Sequence, residues 1–407
     1  MRPLSLVVGA LLFSSLAAIA QPIVGPEVVS GPLAASNTTF SIPRTAVVMA
    51  RDRASVAIAW SMPTSDGVER IHITRLDNSA HAIGTTRVIP SMIDASFPSI
   101  AASPDGNGFV LAWLERGRFQ ASPSASLMFC RLDAALQPSE PWKLIKLNIP
   151  ARPVVRSGAV TYIAASVFLW RLEPDGSVSG YTLGFTTSDM VVGDSLQLIS
   201  GERVIGPDYT CADQCRVGGG PFNGSCSDGP GCRIYPQGYR LLLTSSSWLT
   251  YSFAFESDSL PAIESNGRDT LFAWLRGDQL RGGDVVATHL TTADETFYAV
   301  QSPRILGAFS ADASPSAVDI ATDGDRYLTV WRTRSAAGDH DVVAASLDRE
   351  GRVTPLAIAS TQADESDPSV IALGNGTFLV AYEKIDGADR RIAGRIVSFG
   401  ARRRTAE

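Results

Sequence analysis

The chain has 407 residues, of which 45% are apolar and 19% charged, with a formal net charge of −6. That composition belongs to a packed globular protein, and the acidic balance excludes nucleic acid from the expected partners. No Pro-rich or Ser-rich linker divides the chain, so one long closed β architecture is expected rather than two or three domains.

Residues 1–20 open with Met1-Arg2, continue as an apolar run and end in Ala18-Ile19-Ala20, the layout of a secretory signal cleaved near Ala20. Gln21 stands where a lipoprotein would carry cysteine, and no later apolar run is long enough to span a bilayer. The expectation is an exported protein, secreted or periplasmic, with no membrane anchor.

From Pro43 onward a unit repeats. A proline and a short strand lead through a Gly/Asp/Asn turn into an apolar strand that ends in an aromatic. The copies include Val56-Ala-Ile-Ala-Trp60, Pro98-Ser-Ile with Phe109-Val-Leu-Ala-Trp113, Pro261-Ala-Ile with Leu271-Phe-Ala-Trp274, Pro315-Ser-Ala-Val with Tyr327-Leu-Thr-Val-Trp331, and Pro368-Ser-Val-Ile with Phe378-Leu-Val-Ala-Tyr382. A third strand follows and closes in an Asp turn, as in Ile73-Thr-Arg-Leu-Asp77, Phe129-Cys-Arg-Leu-Asp133 and Ala345-Ser-Leu-Asp348. A fourth resembles Val353–Ala359.

Four antiparallel strands at a period of about 55 residues resemble the blade of a β-propeller. The resemblance is architectural: WD, kelch and sialidase signatures are absent. It implies an all-β fold of seven blades, with the third and fourth degenerate, or of six if Trp170 belongs to a third strand. Residues 21–400 form one propeller domain with a Cys-rich insert at 206–233, and residues 401–407 a basic tail. The segment Val28–Ala35 reads like a fourth strand and is expected to complete the last blade and close the ring, removing exposed sheet edges.

Antiparallel order places the short repetitive turns on one face and the variable connections between second and third strands on the other. Candidate binding residues on that variable face are Arg276, Asp278, Arg332, Asp339 and His340. Carboxylates recur just before the first strand of a blade, at Asp94, Asp258, Asp312 and Asp364. At a channel mouth they would suit a hard cation or a cationic ligand, but repetition favours side chains that accept backbone N–H groups.

Cys211, Cys215, Cys226 and Cys232 are expected to form two disulfides in an exported chain, with three pairings open. Their spacing lacks the paired Cys-x-x-Cys knuckles of a zinc site. Cys130 is left over as a buried thiol. Gly193-Asp-Ser-Leu196 matches a hydrolase nucleophile block, but no Asp-x-x-His accompanies it, and the four histidines lack metal spacing. The expectation is a monomeric, non-catalytic binding or scaffold propeller with no cofactor or metal, recognising a protein or glycan through its variable face. The alternative is a propeller glycoside hydrolase or lyase acting on extracellular carbohydrate through paired carboxylates at the channel mouth.

Overall fold

The structure, a computed structural model, describes residues 22–29, 34–35, 47–91, 93–116, 125–139, 143–149, 152–183, 187, 189–192, 196–202, 238–244, 248–254, 261–278, 282–293, 296–300, 302–311, 318–387 and 389–400. Every regular element among them is a β-strand, and the strands pair in chain order into antiparallel sheets.

The first sheet holds Val48–Arg51, Val56–Pro63, Glu69–Leu76 and Arg87–Val88. The second holds Asp94–Ala102, Gly108–Arg116, Ala125–Asp133 and Lys143–Ile149. The third is Val154–Ser157, Thr161–Ala165, Phe168–Leu172 and Val178–Thr182, and the fourth is Asp189–Val192, Leu196–Glu202, Gly238–Thr244 and Trp248–Ala254. In the fifth, Ala262–Ser265, Asp269–Asp278, Gly282–Ala293 and Thr296–Val300 are joined by Arg304–Phe309, which also pairs with the third strand. The sixth runs Asp319–Thr322, Arg326–Arg334, His340–Asp348 and Val353–Ala359. The seventh takes Asp364–Gly374, Thr377–Asp386 and Asp389–Ser398 from the end of the chain and Ile23–Val29 from its beginning.

The first strand of each sheet packs beside the first strand of the next, and that of the seventh beside that of the first. Such sheets, set side by side through their first strands, are the architecture of a β-propeller.

The second strands are apolar on both faces because each sheet lies between two others. In the first sheet, Ala57 and Ala59 meet Phe109, Leu111 and Trp113 of the second, while Val56, Ile58 and Trp60 meet Leu379, Ala381 and Ile392 of the seventh. The same parity continues round the molecule. Val110, Ala112 and Leu114 pack on Val155, Ile163 and Trp170 of the third sheet. Tyr327 and Trp331 pack on the fifth sheet, and Leu328 and Val330 on Val380 and Tyr382 of the seventh. A period of two is thus used twice, and the pattern reads as an unbroken run.

Trp60, Trp113, Trp331 and Tyr382, aromatics within the second strands, all wedge against the preceding sheet. Full burial of a large apolar side chain contributes about 1.5–3 kcal/mol. Trp331 also donates its Nε1–H to Ala308 O at 3.1 Å and lies so close to Gly307 that a Cβ there would stand 2.6 Å from its ring. Position 307 therefore has to be glycine.

The aspartate that ends the third strand caps the turn that follows. Asp77 Oδ1 accepts from the N–H groups of Ser79 and His81, Asp133 Oδ1 from Ala135 and Gln137, and Asp348 Oδ1 from Glu350 and Arg352, at 2.7–3.0 Å. Three residues after each aspartate the backbone turns left-handed, at Ala80, Leu136 and Gly351. A side chain that serves the turn's N–H groups explains why the motif recurs.

Two expectations need correction, and of the two placements open for Trp170 one is observed. The N-terminal strand is Ile23–Val29 rather than Val28–Ala35, and beyond it, among the described residues, Ala34 and Ala35 pair with the last strand. Pro26, which has no N–H for a ladder, sits at a bulge between Val24 and Glu27. Trp170 lies in a third strand, opposite Ile163. The connections on the variable face are also shorter than expected, because pairing continues to Asp278↔Gly282, Arg334↔His340 and Asp386↔Asp389.

Candidate functional site at the central channel

The first strands of all these sheets line one central cavity of about 1130 Å³. A first strand has a neighbour on one edge only, so its other edge presents unpaired backbone N–H groups. One position supplies their acceptors from sheet to sheet. Ser99 Oγ accepts the Val155 N–H at 2.9 Å, Asp189 Oδ2 the Ile263 N–H at 3.1 Å, and Asp319 Oδ2 the Val370 N–H at 2.8 Å. Asp319 Oδ2 accepts also from Ser369 Oγ at 2.8 Å.

Within the cavity, Arg156 pairs with Asp189 at 2.9 Å. Burial works against the Arg156 charge, but Asp189, Glu264 and Asp319 more than compensate, and its pKa rises. Burial raises the carboxyl groups of Asp189 and Asp319 despite Arg156 and their backbone donors. It pushes Glu264 up to about 7, with Arg156 and the Ser265 N–H opposing.

The end of the channel on the variable face is built differently. Just before Pro98 and Pro368, the first strands of the second and seventh sheets carry the same bulge, where the register skips from Ser96 to Ser99 and from Ser366 to Ser369. The residues inside these bulges, Phe97 and Asp367, have φ of 55° and 47° and both line the cavity. A left-handed backbone is costly for a side chain like phenylalanine, of order 1–3 kcal/mol, and such strain concentrates at functional sites.

Arg152 lies 4.6 Å from the centre of the Phe97 ring and Arg116 5.6 Å from it. Arg152 reaches open channel space yet is walled by protein; loss of surrounding water lowers its pKa, with Asp367 opposing. Burial raises the Asp367 carboxyl, opposed by the charges of Arg152, Arg332 and Arg390. Neither Arg152 nor Asp367 makes a hydrogen bond or a close ion pair among the described residues.

The residues singled out from sequence fall elsewhere. Asp94 and Asp364 do not line the cavity: Asp94 Oδ1 accepts the Glu69 N–H at 3.1 Å, and Asp364 Oδ1 accepts the His340 N–H at 2.8 Å and lies 2.7 Å from His340 Nδ1. Both aspartates thus tie the third strand of the preceding sheet to the first strand of their own. Asp258 and Asp312 lie outside the described residues, as does the side chain of Asp278. Arg276 pairs with Asp284 at 2.6 Å across its hairpin. Arg332 is buried in a second strand, Asp339 accepts from Ser335 Oγ, and His340 begins a strand instead of sitting in a loop.

Cys211, Cys215, Cys226 and Cys232 also lie outside the described residues, but Glu202 pairs with Gly238, which brings the two ends of their segment together. Residues 193–195 of the hydrolase-like block are likewise outside; the strands flanking them pair directly, Val192 opposite Leu196. Cys130 is a buried thiol that forms no disulfide among the described residues. Among the described residues no group of three or more His, Cys, Asp or Glu is placed to hold a metal ion, and no helix is long and apolar enough to cross a membrane.

Sequence reasoning missed Phe97, Arg152, Arg156, Asp189, Glu264, Asp319 and Asp367. The available signal was departure from the repeat: by strand register, Arg156 stands where other blades carry Ala50, Ala101 and Ala321.

No family model matches the chain, and no curated protein matches it. Among solved structures it is similar to a protein of unknown function from Dyadobacter fermentans, at 12% identity over 88% of this chain and 95% of that one, with a TM-score of 0.48. It is similar also to the β-propeller domain of the Trilobed protease from Pyrococcus furiosus, at 11% identity over 87% and 96%, with a TM-score of 0.46. A third is the NanB sialidase from Streptococcus pneumoniae, at 10% identity over 90% and 70%, with a TM-score of 0.45. These similarities are architectural and carry no activity to this chain.

Proposed function

We propose that the chain is a seven-bladed β-propeller, closed by its N-terminal strand, that is exported and acts as a non-catalytic binding protein, taking a protein or glycan ligand at the variable-face end of its channel. Closure is supported by the shared core of the seventh and first sheets and by the pairing of Ile23–Val29 with Asp389–Ser398. Glu27 reinforces that strand: it accepts from Tyr382 Oη at 3.0 Å and from Lys384 Nζ at 2.9 Å.

The observation that carries the binding reading is a division of labour. The repeated aspartates Asp94 and Asp364 are spent on backbone N–H groups, whereas Arg152 and Asp367 face the cavity with no hydrogen bond among the described residues. Rigid scaffolds carry function where the repeat is broken. A glycan array probed with the native protein and with Phe97→Gly tests this. Selective binding by the native protein that the variant loses is expected; equal binding by both overturns the location.

One observation favours a glycoside hydrolase instead: Glu264, at about 7, lines the cavity with Asp189 and Asp319, and a carboxyl that keeps its proton near neutrality suits a general acid. A screen of chromogenic glycosides separates the readings. No turnover is expected, and turnover abolished by Glu264→Gln overturns the non-catalytic reading.

A further inference from the structure

Resting on the binding reading above, we propose that Arg116 and Arg152, set against Phe97 at the variable-face mouth of the channel, form a receptor for the carboxylate group of a ligand. Both guanidinium groups lie within cation–π range of the one ring, at 5.6 and 4.6 Å from its centre. Neither has an ion pair with a carboxylate among the described residues, and the buried Nε of Arg116 has no hydrogen-bond partner. Elsewhere in the molecule arginines at comparable positions are engaged: Arg156 with Asp189, Arg276 with Asp284, Arg390 with Glu383. Two cations sharing one aromatic wall, with fork-shaped donors unfilled, are organised for an acceptor that comes from outside.

The surroundings select the kind of anion. Asp367 lines the same mouth. A carboxylate there disfavours a doubly charged phosphate, while a singly charged, planar carboxylate matches the guanidinium fork at less electrostatic cost. Phe97 is held in its left-handed bulge with its ring under Arg152, which fixes the guanidinium in place before the ligand arrives. The cavity behind, about 1130 Å³, has room for the rest of the molecule.

The test titrates the full chain with four probes: D-glucuronate, N-acetylphenylalanine, D-glucose and inorganic phosphate, followed by ligand-observed NMR. The expected result is that one or both carboxylates bind more tightly than glucose and phosphate, the tighter carboxylate showing whether the natural source is a sugar acid or a peptide end. Arg152→Met weakens that binding about tenfold or more, Arg152→Lys less, and Arg116→Met adds to the loss. Since neither guanidinium has an ion pair among the described residues, the thermal unfolding of these variants stays close to native, and a variant that does unfold is replaced by its lysine counterpart.

Phosphate or glucose binding more tightly than both carboxylates overturns the proposal, as does carboxylate binding unchanged in Arg152→Met with Arg116→Met. Glucose binding that survives both arginine substitutions overturns the carboxylate receptor and leaves the binding reading standing. Turnover of a glycoside by a protein whose arginines still bind glucuronate does the reverse.

Discussion

The two faces of the molecule handle charge in opposite ways. On the turn side, Asp77, Asp133 and Asp348 each serve two backbone N–H groups. On the other face, at the channel mouth, Arg152 and Asp367 face the cavity with no hydrogen bond among the described residues, and Phe97 and Asp367 hold strained backbone angles. A polar side chain that recurs in register belongs to the scaffold; one that breaks the register and stays unpaired belongs to whatever the scaffold presents.

The comparison is broken hardest by removing a wedge that both faces depend on. Trp331→Ala removes a large side chain packed on Gly307 and its hydrogen bond to Ala308, and should cost about 3–5 kcal/mol, read from urea unfolding. Asp348→Ala tests the turn face. With two backbone donors and the Arg352 ion pair lost, about 1–2 kcal/mol is expected, and a loss near zero would contradict the capping role.

Glu27→Gln tests the strand that joins the two chain ends. Burial opposes the Glu27 charge, but hydrogen bonds from Lys384 and Tyr382 and the charges of Lys384 and Arg391 hold its carboxyl below the ordinary value. The unfolded chain therefore binds this proton more readily, so the stabilisation is present above the ordinary carboxylate range and fades as pH falls through it. The substitution should cost about 1 kcal/mol at pH 7, and that cost should shrink as pH falls through the carboxylate range, as checked by thermal unfolding across pH.

The smallest effect has the opposite sign. The Asp367 carboxyl is raised by burial, so the folded chain holds this proton more tightly than the unfolded chain and stability falls as pH climbs above the ordinary carboxylate range. Asp367→Asn should therefore stabilise at pH 7, by up to about 1 kcal/mol, and flatten that decline. A loss instead would place Asp367 with the scaffold aspartates.

Much of this was legible in sequence because propeller strands are short and their rules local. The apolar runs, the Gly and Asp turns and the aromatic at position 60, 113, 274, 331 or 382 all mark elements whose partners lie within one repeat. Two local readings failed: the N-terminal strand lies at Ile23–Val29, earlier than its resemblance to a fourth strand implied, and hairpin pairing ran further into the variable connections than their polar composition implied. The aspartates Asp94 and Asp364 were visible as a repeat, but which backbone N–H each would accept depended on the neighbouring sheet.

What the sequence by itself determined, then, is the strand, the turn and the repeat, because a period of two and a capping aspartate act over a few residues. Only the tertiary structure decided that Phe97, Arg116 and Arg152 meet, and that Asp367 from the far end of the chain lines the same cavity as Phe97 and Arg152. Those residues come together through the side-by-side packing of first strands, and no local pattern encodes which charged side chains that packing leaves without a partner.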